Sequence, residues 1–302
     1  MQLVRRDTGV RILACTPSNV VADLLVKRLA AAGLRSDQLY HLNAHSREQG
    51  VPDDVQLFSV IPERKKLLAF RVVLSTCSSA AVLQTLNVPI GHFSHIVIDD
   101  AAQAEEPLVM IPILAFSDAY TNVILSCDPG QLGPVIKSPT AAKAGLGKSF
   151  LLRLMLIREV YRLDTQGSKT WAAFSRYNLK PFLKSQNDCR IVALQRNRRS
   201  HPAIIAWSNR YLYEDTMRAS GDVDITHALV ESNVLPKNGF PILFYGIKGR
   251  EKHSKQSPWY FNIHEASIVR NYCVALTSDR ERKTRICQCG SCLVSSPFIT
   301  SV

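Results

Sequence analysis

The chain has 302 residues, of which 46% are hydrophobic and 21% are charged, a composition that excludes a disordered, fibrous or small disulfide-rich protein. Its 37 lysine and arginine residues outnumber 25 aspartate and glutamate residues, so the net charge of +12 favours a polyanionic partner such as nucleic acid. No apolar run approaches the roughly 18 residues of a membrane span, and the first residues lack a signal-peptide core, which predicts a soluble protein that is not secreted.

Short β-branched or apolar runs alternate with segments of helical spacing in the first half of the chain. Strands are expected at Arg11–Cys15, Arg71–Thr76, His95–Ile98 and Val123–Ser126. Helices are expected at Val20–Ala32, Glu105–Ala115 and Ser149–Leu163. Because strands that alternate with helices form parallel sheets, we expect an α/β lobe with helices on both faces of its sheet.

A polar stretch from Asp164 to Asp188 separates these elements from a second set. The second set comprises strands at Arg190–Leu194 and Pro241–Tyr245 and helices at Pro202–Tyr213 and His264–Leu276. We therefore predict a first lobe at 1–165, a linker at 166–189 and the start of a second lobe at 190–276.

Residues 277–302 carry a run of charges and then cysteine and serine without hydrophobic periodicity, which predicts a disordered tail. Cys287, Cys289 and Cys292 lie in this tail, but no histidine or cysteine follows to complete the four ligands of a zinc site, so zinc is not expected. The eight cysteines of the chain indicate reduced thiols and a cytoplasmic or nuclear protein.

Two acidic residues, Asp99 and Asp100, directly follow the third expected strand. Ligands of open α/β sheets bind at the carboxyl ends of the strands, where a carboxylate can hold the Mg²⁺ of a bound nucleotide. An acidic turn without a ligand explains this segment equally well. The next strand favours a nucleotide site, because it runs into a tight turn whose Gln131 is placed to sense a γ-phosphate.

Arg198 and Arg199 follow the first expected strand of the second lobe. An arginine in that place can reach a γ-phosphate as an arginine finger supplied by the same chain. Taken alone, the segment is better explained as a basic helix start that Ser200 caps ahead of Pro202.

Small hydroxyl and amide side chains follow the first two strands. Ser18 and Asn19 open a long helix, where free N–H groups and the helix dipole favour the phosphate backbone of a nucleic acid. An ordinary helix cap by either residue is compatible with that role. Thr76 and Ser78, at the end of the second strand, offer hydroxyls in the same manner.

Five segments, taken in chain order, resemble motifs Ia, Ib, II, III and IV of superfamily 1 RNA helicases. They read ACTPSNVVADLL, VVLSTCSSAAVL, IVIDDAAQAEEP, LSCDPGQLGPV and NRRSHPAIIAWSNRYLY. Two connecting segments, AGLGKSFLLRLMLIREVY and SPWYFNIHEASIVRNYCVAL, resemble the Armitage-type branch of small-RNA silencing, which is related to the up-frameshift helicase. The resemblance covers roughly Arg11 to Leu276 and implies two RecA-like lobes that bind ATP between them and single-stranded RNA across their tops.

The resemblance also implies roles for single residues. Asp99 matches the Mg²⁺ ligand, and Asp100 matches the glutamate that orients the attacking water. Gln103 and Gln131 match residues that couple the nucleotide state to the grip on RNA. Arg199 matches an arginine that contacts the γ-phosphate, and Arg198 matches a position that stacks on adenine. Positions near the RNA backbone are matched by Ser18, Asn19 and Thr76, with Ser78 beside Thr76.

Three residues depart from the family's pattern. Asp100 is one methylene shorter than the glutamate, a retreat of about 1.5 Å, which argues against efficient hydrolysis. Cys127 stands at a glycine position, which requires a backbone outside the left-handed region. Arg198 replaces a tyrosine and is expected to stack less well on adenine.

Both lobes are expected to be incomplete. The family begins its first lobe with a phosphate loop of the form G-x-x-x-x-G-K-[ST], which no segment before Ala14 supplies, and its motifs V and VI lie beyond Leu276. A relaxed match at 142–149, with Lys148, follows the motif III strand instead of opening the sheet and is rejected. Without the first strand and helix, the sheet is expected to have an exposed apolar flank.

The resemblance thus implies an ATP-dependent RNA helicase or translocase of small-RNA (piRNA-type) silencing, with ATP and Mg²⁺ as cofactors. Its expected partners are single-stranded RNA and silencing proteins, and its expected location is the cytoplasm, in perinuclear or other granules. As written, the chain is not expected to hydrolyse ATP, because a phosphate loop and its lysine supply most of the nucleotide affinity and transition-state stabilisation. The alternative is a fragment or degenerate paralogue that binds RNA or a partner without catalysis.

Overall fold

The computed structural model describes residues 1–43, 47, 51–60, 63–128, 130–157, 192–253 and 260–278. They belong to two compact units, one up to residue 157 and the other from residue 192. The expected linker at 166–189 lies outside the described residues, as does the tail from residue 279 with its three clustered cysteines. The expected domain boundaries therefore stay predictions.

A five-stranded sheet forms the centre of the first unit. Its strands are β1 (Ile12–Thr16), β2 (Leu39–Leu42), β3 (Val72–Thr76), β4 (His95–Asp99) and β5 (Asn122–Ser126). They lie in the order β2-β3-β1-β4-β5, and every neighbouring pair is parallel. The predicted α/β class is confirmed, and four of these strands lie within one residue of their expected positions.

Helices connect and cover these strands. They are α1 (Gln2–Arg6), α2 (Asn19–Ala31), α3 (Asp53–Gln56), α4 (Arg64–Leu67), α5 (Val82–Thr85), α6 (Glu106–Phe116), α7 (Pro139–Ala141) and α8 (Phe150–Ile157). A 3₁₀ turn at Ser79–Ala81 precedes α5, and a π-helical turn at Ala142–Leu146 follows α7. The expected helix at Ser149–Leu163 is described as far as Ile157, and its remainder lies outside the described residues.

Apolar side chains fill both faces of the sheet. On one face, Leu13 packs in a cluster with Phe93 and Phe116, whose rings meet edge to face with centroids 5.7 Å apart. On the other face, Ile12 packs in a cluster with Val26 of α2. Because successive strand residues point to opposite faces, a sheet with two cores needs strands that are apolar at every position, as the sequence pattern predicted.

The strand β5 forms an exposed apolar edge of the sheet. Among the described residues it pairs with β4 alone, and Val123 and Ile124 are 40% and 42% exposed. The sequence predicts an uncovered apolar flank but does not locate it at β5. An exposed apolar strand edge is a surface on which other strands can pair.

The second unit contains two small sheets. Its strands are β6 (Arg196–Asn197), β7 (Arg218–Ala219), β8 (Lys252–His253) and β9 (Tyr260–Phe261), and its helices are α9 (Pro202–Leu212), α10 (Val223–Thr226) and α11 (Ile263–Ser278). The pair β6 and β7 is parallel, and the pair β8 and β9 is antiparallel. A second parallel sheet is therefore present, although each of its strands has only two residues.

The strand expected at Pro241–Tyr245 is wrong, and the strand expected at Arg190–Leu194 is wrong for the residues that the structure describes. Residues 192–194 and 241–245 form no strand, and Leu194 and Phe244 are 89% and 91% exposed. These segments have the apolar composition of buried strands, but within the described residues they lie against no neighbouring strand. A run of β-branched residues forms a strand only where a partner satisfies its backbone hydrogen bonds.

Among the described residues, no helix is long and apolar enough to cross a membrane.

Candidate functional site

Two polar residues, Ser18 and Asn19, follow the carboxyl end of β1 at the start of α2. Ser18 has an extended backbone, and its hydroxyl accepts a hydrogen bond from the Val21 amide at 3.4 Å, so it is the N-cap of α2. The Thr16 hydroxyl donates to the Ser18 carbonyl at 2.8 Å and fixes this turn. Ser18 is exposed, so the capping role and the predicted contact with a nucleic-acid backbone are compatible.

The carboxyl end of β3 lies beside that turn, because β1 and β3 pair in register and the Cys77 amide donates to the Thr16 carbonyl at 2.9 Å. Thr76 is only 5% exposed, and its hydroxyl donates to the Ser79 hydroxyl at 2.8 Å while it accepts from the Ser79 amide at 3.2 Å. Ser78 is exposed. Thr76 therefore holds the turn. Ser78 is the more exposed of the predicted pair, and its hydroxyl lies 3.3 Å from the Thr76 hydroxyl.

The carboxyl end of β4 carries the two predicted catalytic acids. Asp100 has a left-handed backbone with φ of 54°, which aspartate tolerates better than most residues. Its carbonyl accepts from the Gln103 amide at 2.9 Å, which closes a tight turn and places Gln103 directly after the acids. Burial and the neighbouring charge of Asp99 raise the pKa of the Asp100 carboxyl. The two carboxylates therefore lie close enough to repel each other.

The carboxyl end of β5 is adjacent, since Asp99 and Ser126 are paired in register. Here the Asp128 carboxylate accepts from the Gln131 side-chain amide and from the Gly130 backbone amide, both at 2.9 Å. Gln131 is exposed, and Asp128 holds its side chain on this edge of the sheet. The structure thus brings together Asp99, Asp100 and Gln131 at the ends of two neighbouring strands.

Cys127 lies between these groups. Burial is the main cause that raises its pKa to about 11, and the charges of Asp128, Asp100 and Asp99 add to the effect. Its backbone is not left-handed, so the replacement of a glycine by cysteine is compatible with this turn. Its thiol is neutral, so the charges around it at the ends of β4 and β5 are those of the carboxylates of Asp99, Asp100 and Asp128.

Asp99 and Asp100 are the residues that would hold a magnesium ion at this edge of the sheet. Among the described residues, no three histidine, cysteine or acidic side chains form a metal-binding group. Mg²⁺ takes one or two carboxylates and completes its shell with water and phosphate oxygens. The mutual repulsion of Asp99 and Asp100 would be relieved by a cation bound beside Asp99.

In the second unit, Arg198 and Arg199 lie in an exposed loop before α9. The Asn197 side-chain oxygen accepts from the backbone amides of Arg199 and Ser200, at 3.0 Å each. Ser200 was one expected cap of the helix, and this is wrong, because His201 is the N-cap and its Nδ1 accepts from the Ala203 amide at 3.1 Å. Proline at the first helical position leaves the residue before it as the cap.

The relaxed phosphate-loop match at 142–149 has no strand–loop–helix geometry. It begins in the π-helical turn, where Gly145 has φ of 107°, and it follows helix α7. The Ser149 side chain is 2% exposed, and its hydroxyl accepts from the Leu152 amide at 3.3 Å. Ser149 therefore caps α8, in agreement with the rejection of this segment as a phosphate loop.

A buried polar cluster beside α2 was missed by the sequence reasoning. Arg47 donates two hydrogen bonds to the Asp23 carboxylate at 2.9 and 2.7 Å, and Nδ1 of His41 lies 3.9 Å from the same carboxylate. The available signal was the four-residue spacing of Asn19 and Asp23, which places both on one face of α2. The partners come from a distant segment that periodicity alone does not locate.

Two AAA-domain family models match the chain, at residues 35–139 and 175–291. RNA helicase Mov10l1 of Homo sapiens is 37% identical over 269 residues, which is 88% of this chain and 21% of that protein. Helicase mov-10-B.1 of Danio rerio is 32% identical over 93% of this chain and 27% of that protein. RNA helicase armi of Drosophila melanogaster is 30% identical over 91% of this chain and 25% of that protein.

The chain spans about a fifth to a quarter of the length of these relatives. A solved structure, the C-terminal part of the Fun30 ATPase domain, is 14% identical with a TM-score of 0.29 and covers 49% of this chain and 43% of that chain. That likeness is too low to define the fold, which rests on the parallel sheet itself.

Proposed function

This chain belongs to the family of RNA helicases that includes Mov10l1, mov-10 and armi, and from that premise we propose that it supplies the RNA-gripping and nucleotide-sensing part of an ATP-dependent helicase or translocase. Single-stranded RNA is its substrate, and small-RNA silencing is the process that it serves. ATP with Mg²⁺ is the cofactor, in keeping with the nucleotide use that the family implies.

One observation carries this proposal: two chemically different groups lie on one edge of one parallel sheet. The ends of β1 and β3 present hydroxyl and amide groups at a helix N-terminus, which suit a phosphate backbone. The ends of β4 and β5 present carboxylates and Gln131, which suit a metal-bound nucleotide. Because β1 also pairs with β4, the acids at the end of β4 lie on the strand next to the one whose end carries the proposed RNA contacts.

Each candidate residue then has a role. Asp99 would hold Mg²⁺, which when bound would neutralise phosphate charge, and Asp100 would orient the attacking water. Gln103 and Gln131 register the γ-phosphate and adjust the neighbouring turns. Arg199 contacts the γ-phosphate and Arg198 stacks on the base. Ser18, Asn19 and Ser78 contact RNA, while Thr76 holds the turn beneath them.

The test measures ATP turnover by the 302-residue chain with and without single-stranded RNA, together with its RNA affinity with and without ATP and Mg²⁺. RNA-stimulated turnover would show that the chain hydrolyses ATP although its sequence supplies no phosphate loop before Ala14, and Asp99→Asn should then abolish both the turnover and the effect of ATP on RNA affinity. Asp118→Asn is the matched control, because Asp118 lies between α6 and β5, at the amino end of that strand. It should change neither the turnover nor the effect of ATP on RNA affinity. RNA affinity that is unaffected by ATP in the wild-type chain would overturn the nucleotide-sensing role.

The second candidate is RNA or partner binding without catalysis. The observation that favours it is the geometry at Asp100, whose carboxyl is one methylene shorter than glutamate and stands on a left-handed backbone. If Asp100 lies too far from the water, turnover should be absent while RNA binding is retained. Asp100→Glu should then raise turnover, whereas a chain without a nucleotide site would show no gain from this change.

The partners and location of the protein follow from the family premise. We place it in the cytoplasm, in perinuclear or other RNA granules, with small-RNA silencing proteins as partners. A tagged copy should co-purify small-RNA silencing proteins, and RNase treatment shows whether RNA bridges them. A uniform nuclear signal of the tagged copy would contradict the location.

A further inference from the structure

Basic side chains gather at the amino end of the five-stranded sheet, opposite the edge that carries the catalytic acids. Three helical segments lie at this end because each precedes a strand: α1 precedes β1, the last turn of α2 precedes β2, and α4 precedes β3. Together they form the amino-end basic surface, whose exposed cations are Arg5, Arg6, Arg28, Arg64, Lys65 and Lys66.

Hydrogen bonds to backbone carbonyls hold α1 at this surface. The Arg71 guanidinium, directly before β3, donates to the Val4 carbonyl at 3.1 Å. Arg5 donates to the Ala32 carbonyl at 2.9 Å, at the end of α2. The helix α1 is therefore fixed between the start of β3 and the end of α2, so its basic residues lie beside those of α2.

The helix α4 is held at the same end of the sheet. Arg11, directly before β1, donates from Nε to the Leu68 carbonyl at 3.3 Å, immediately after α4. Arg64 donates to the Asn87 carbonyl at 3.1 Å, in the segment that leads to β4. Because β1 and β3 are paired neighbours, α1 and α4 are anchored at the starts of adjacent strands.

The positive charge of this end is not neutralised by the acids around it. Residues 1–11, 27–38 and 63–71 contain ten basic and three acidic residues, a net charge of +7 and more than half of the chain's +12. None of the six cations of the amino-end basic surface forms an ion pair with an acidic residue that the structure describes. Such a concentration of one sign of charge attracts a polyanion.

The opposite edge, where RNA is proposed to bind, has a different charge. The segments that follow β1, β3 and β4, at 17–18, 77–78 and 100–105, contain no lysine or arginine. Asp99 and Asp100 add negative charge there. Lysine and arginine are the residues that release counterions when they meet phosphates, and this release supplies the salt-dependent part of nucleic-acid affinity. In the first unit, that part must come from another surface.

We infer that the amino-end basic surface is a second contact for the phosphate backbone of the bound RNA. The inference rests on the proposed function and adds to it the source of the salt-dependent affinity of the first unit. An RNA strand that leaves the carboxyl edge reaches the amino end after about 16 Å, the length of a five-residue strand. Because that RNA is already bound, its next phosphates are present at a high effective concentration.

A purely structural role makes a different prediction. Arg6 and Arg28 lie in the last turns of α1 and α2, where a cation stabilises the helix dipole. Removal of such a cation lowers the free energy of unfolding and leaves RNA affinity unchanged. Removal of a phosphate contact weakens binding to every RNA sequence alike and makes binding less sensitive to salt.

The experiment measures the affinity of the 302-residue chain for oligouridine at several salt concentrations. The logarithm of the affinity falls with the logarithm of the salt concentration, by about 0.7 for each phosphate contact to a single strand. One double variant carries Arg6→Gln and Arg28→Gln, and the other carries Lys65→Gln and Lys66→Gln. Each should make the slope less steep by about 1.4, and their combination by about 3.

The matched control carries Lys137→Gln and Lys143→Gln, which remove the same charge from exposed positions after β5. Its slope should equal that of the wild-type chain, and an equal change in all three double variants would overturn the surface in favour of net charge. Unchanged slopes in both test variants, with or without a loss of stability in urea, would also overturn it and leave the proposed function standing. A wild-type chain that binds no oligouridine would overturn the proposed function and the surface together.

A second measurement needs no variant protein. Lysine amines are acetylated with and without bound oligouridine, and mass spectrometry measures the modification of each lysine. RNA should protect Lys65 and Lys66 and leave Lys137 and Lys143 reactive, and equal modification of Lys65 and Lys66 in both samples would overturn the surface. Protection by polyglutamate as complete as that by RNA would assign the surface to acidic proteins and overturn the RNA contact.

Discussion

Nδ1 of His41 lies 3.9 Å from the carboxylate of Asp23, yet the imidazole is neutral. Burial lowers the pKa of His41 to about 4, Asp23 acts in the opposite direction, and Arg47 lowers it further. The carboxylate already accepts two hydrogen bonds from Arg47, so it has little remaining attraction for a second cation. Burial is therefore the main reason why His41 is neutral, and Arg47, which lies beyond the end of β2, adds to it.

The first prediction concerns acid stability. The ordinary histidine pKa of 6.5 applies to the unfolded chain, and the folded value is about 4. As the pH falls between these values, the unfolded chain binds a proton that the folded chain does not, so the free energy of unfolding decreases. The loss is about 3 kcal/mol when the pH reaches the folded pKa, and it is absent above the unfolded pKa.

Urea unfolding near pH 7 and near pH 4.5 measures this loss. His41→Gln has no titrating ring and should lose less stability between the two pH values than the wild-type chain. The carboxylates of the two chains titrate alike and cancel in the comparison. Equal losses in the two chains would show that His41 is solvated in the folded state.

The second prediction concerns Arg47. Arg47→Met leaves the Asp23 carboxylate buried beside a neutral histidine, and an uncompensated buried charge destabilises a protein by about 3 kcal/mol. The variant should also raise the pKa of His41, because Arg47 is a cause of its lowering and Asp23 would then attract the proton. Chemical denaturation measures the first effect, and the shift of the His41 ring signals in a proton NMR titration measures the second.

Arg35→Met is the control for this change, because Arg35 and Asp37 form the same kind of bidentate pair at the surface. Its loss should have no measurable effect on stability. A His41 pKa that is the same in wild type and Arg47→Met would contradict the coupling, even if the variant were less stable.

The strands that the sequence predicted correctly are those that carry apolar residues on both faces, such as β3 with Val72, Val73 and Leu74. The strand β2 escaped notice because its segment LYHL contains Tyr40 and His41, which interrupt an apolar run although both are buried. Local composition cannot reveal that a polar side chain will be buried with polar partners. The strand predictions for the second unit are wrong for the converse reason, because its apolar runs have no neighbouring strand within the described residues.

The same distinction applies to the candidate site. The acids after β4 and Gln131 after β5 could be placed together from the sequence, since parallel neighbours end at one edge of a sheet. The pair of Asp23 and Arg47 could not, because its members are 24 residues apart and no periodicity links them. The sequence also could not show that the Thr76 hydroxyl bonds within its own turn, because a hydroxyl at a strand end gives the same sequence pattern whether it points inward or outward.

The third prediction concerns the exposed edge of the sheet. Ile124 is 42% exposed on β5, which pairs on one side only within the part of the chain that the structure describes. A lysine on an exposed strand edge opposes pairing with another chain, so Ile124→Lys should slow aggregation of the purified chain. Light scattering over time at several protein concentrations measures this effect. Leu114→Lys, at a helical position that is 70% exposed, adds the same charge away from the edge, and an equal benefit from both variants would point to net charge alone.

The fourth prediction separates Lys148 from the nucleotide site. Lys148 is exposed and follows a π-helical turn, and Ser149 after it is buried as the cap of α8, so this segment offers no cradle of backbone amides to a phosphate. Lys148→Ala should leave ATP affinity, and any ATP turnover that the wild-type chain shows, unchanged, whereas Asp99→Asn should abolish such turnover. Fluorescent ATP binding and phosphate release measure the two quantities. A loss of ATP affinity in Lys148→Ala comparable to that expected for a phosphate-loop lysine would show that Ala142 to Ser149 binds the nucleotide after all. The acids at the end of β4 would then face a phosphate site formed by the segment after β5.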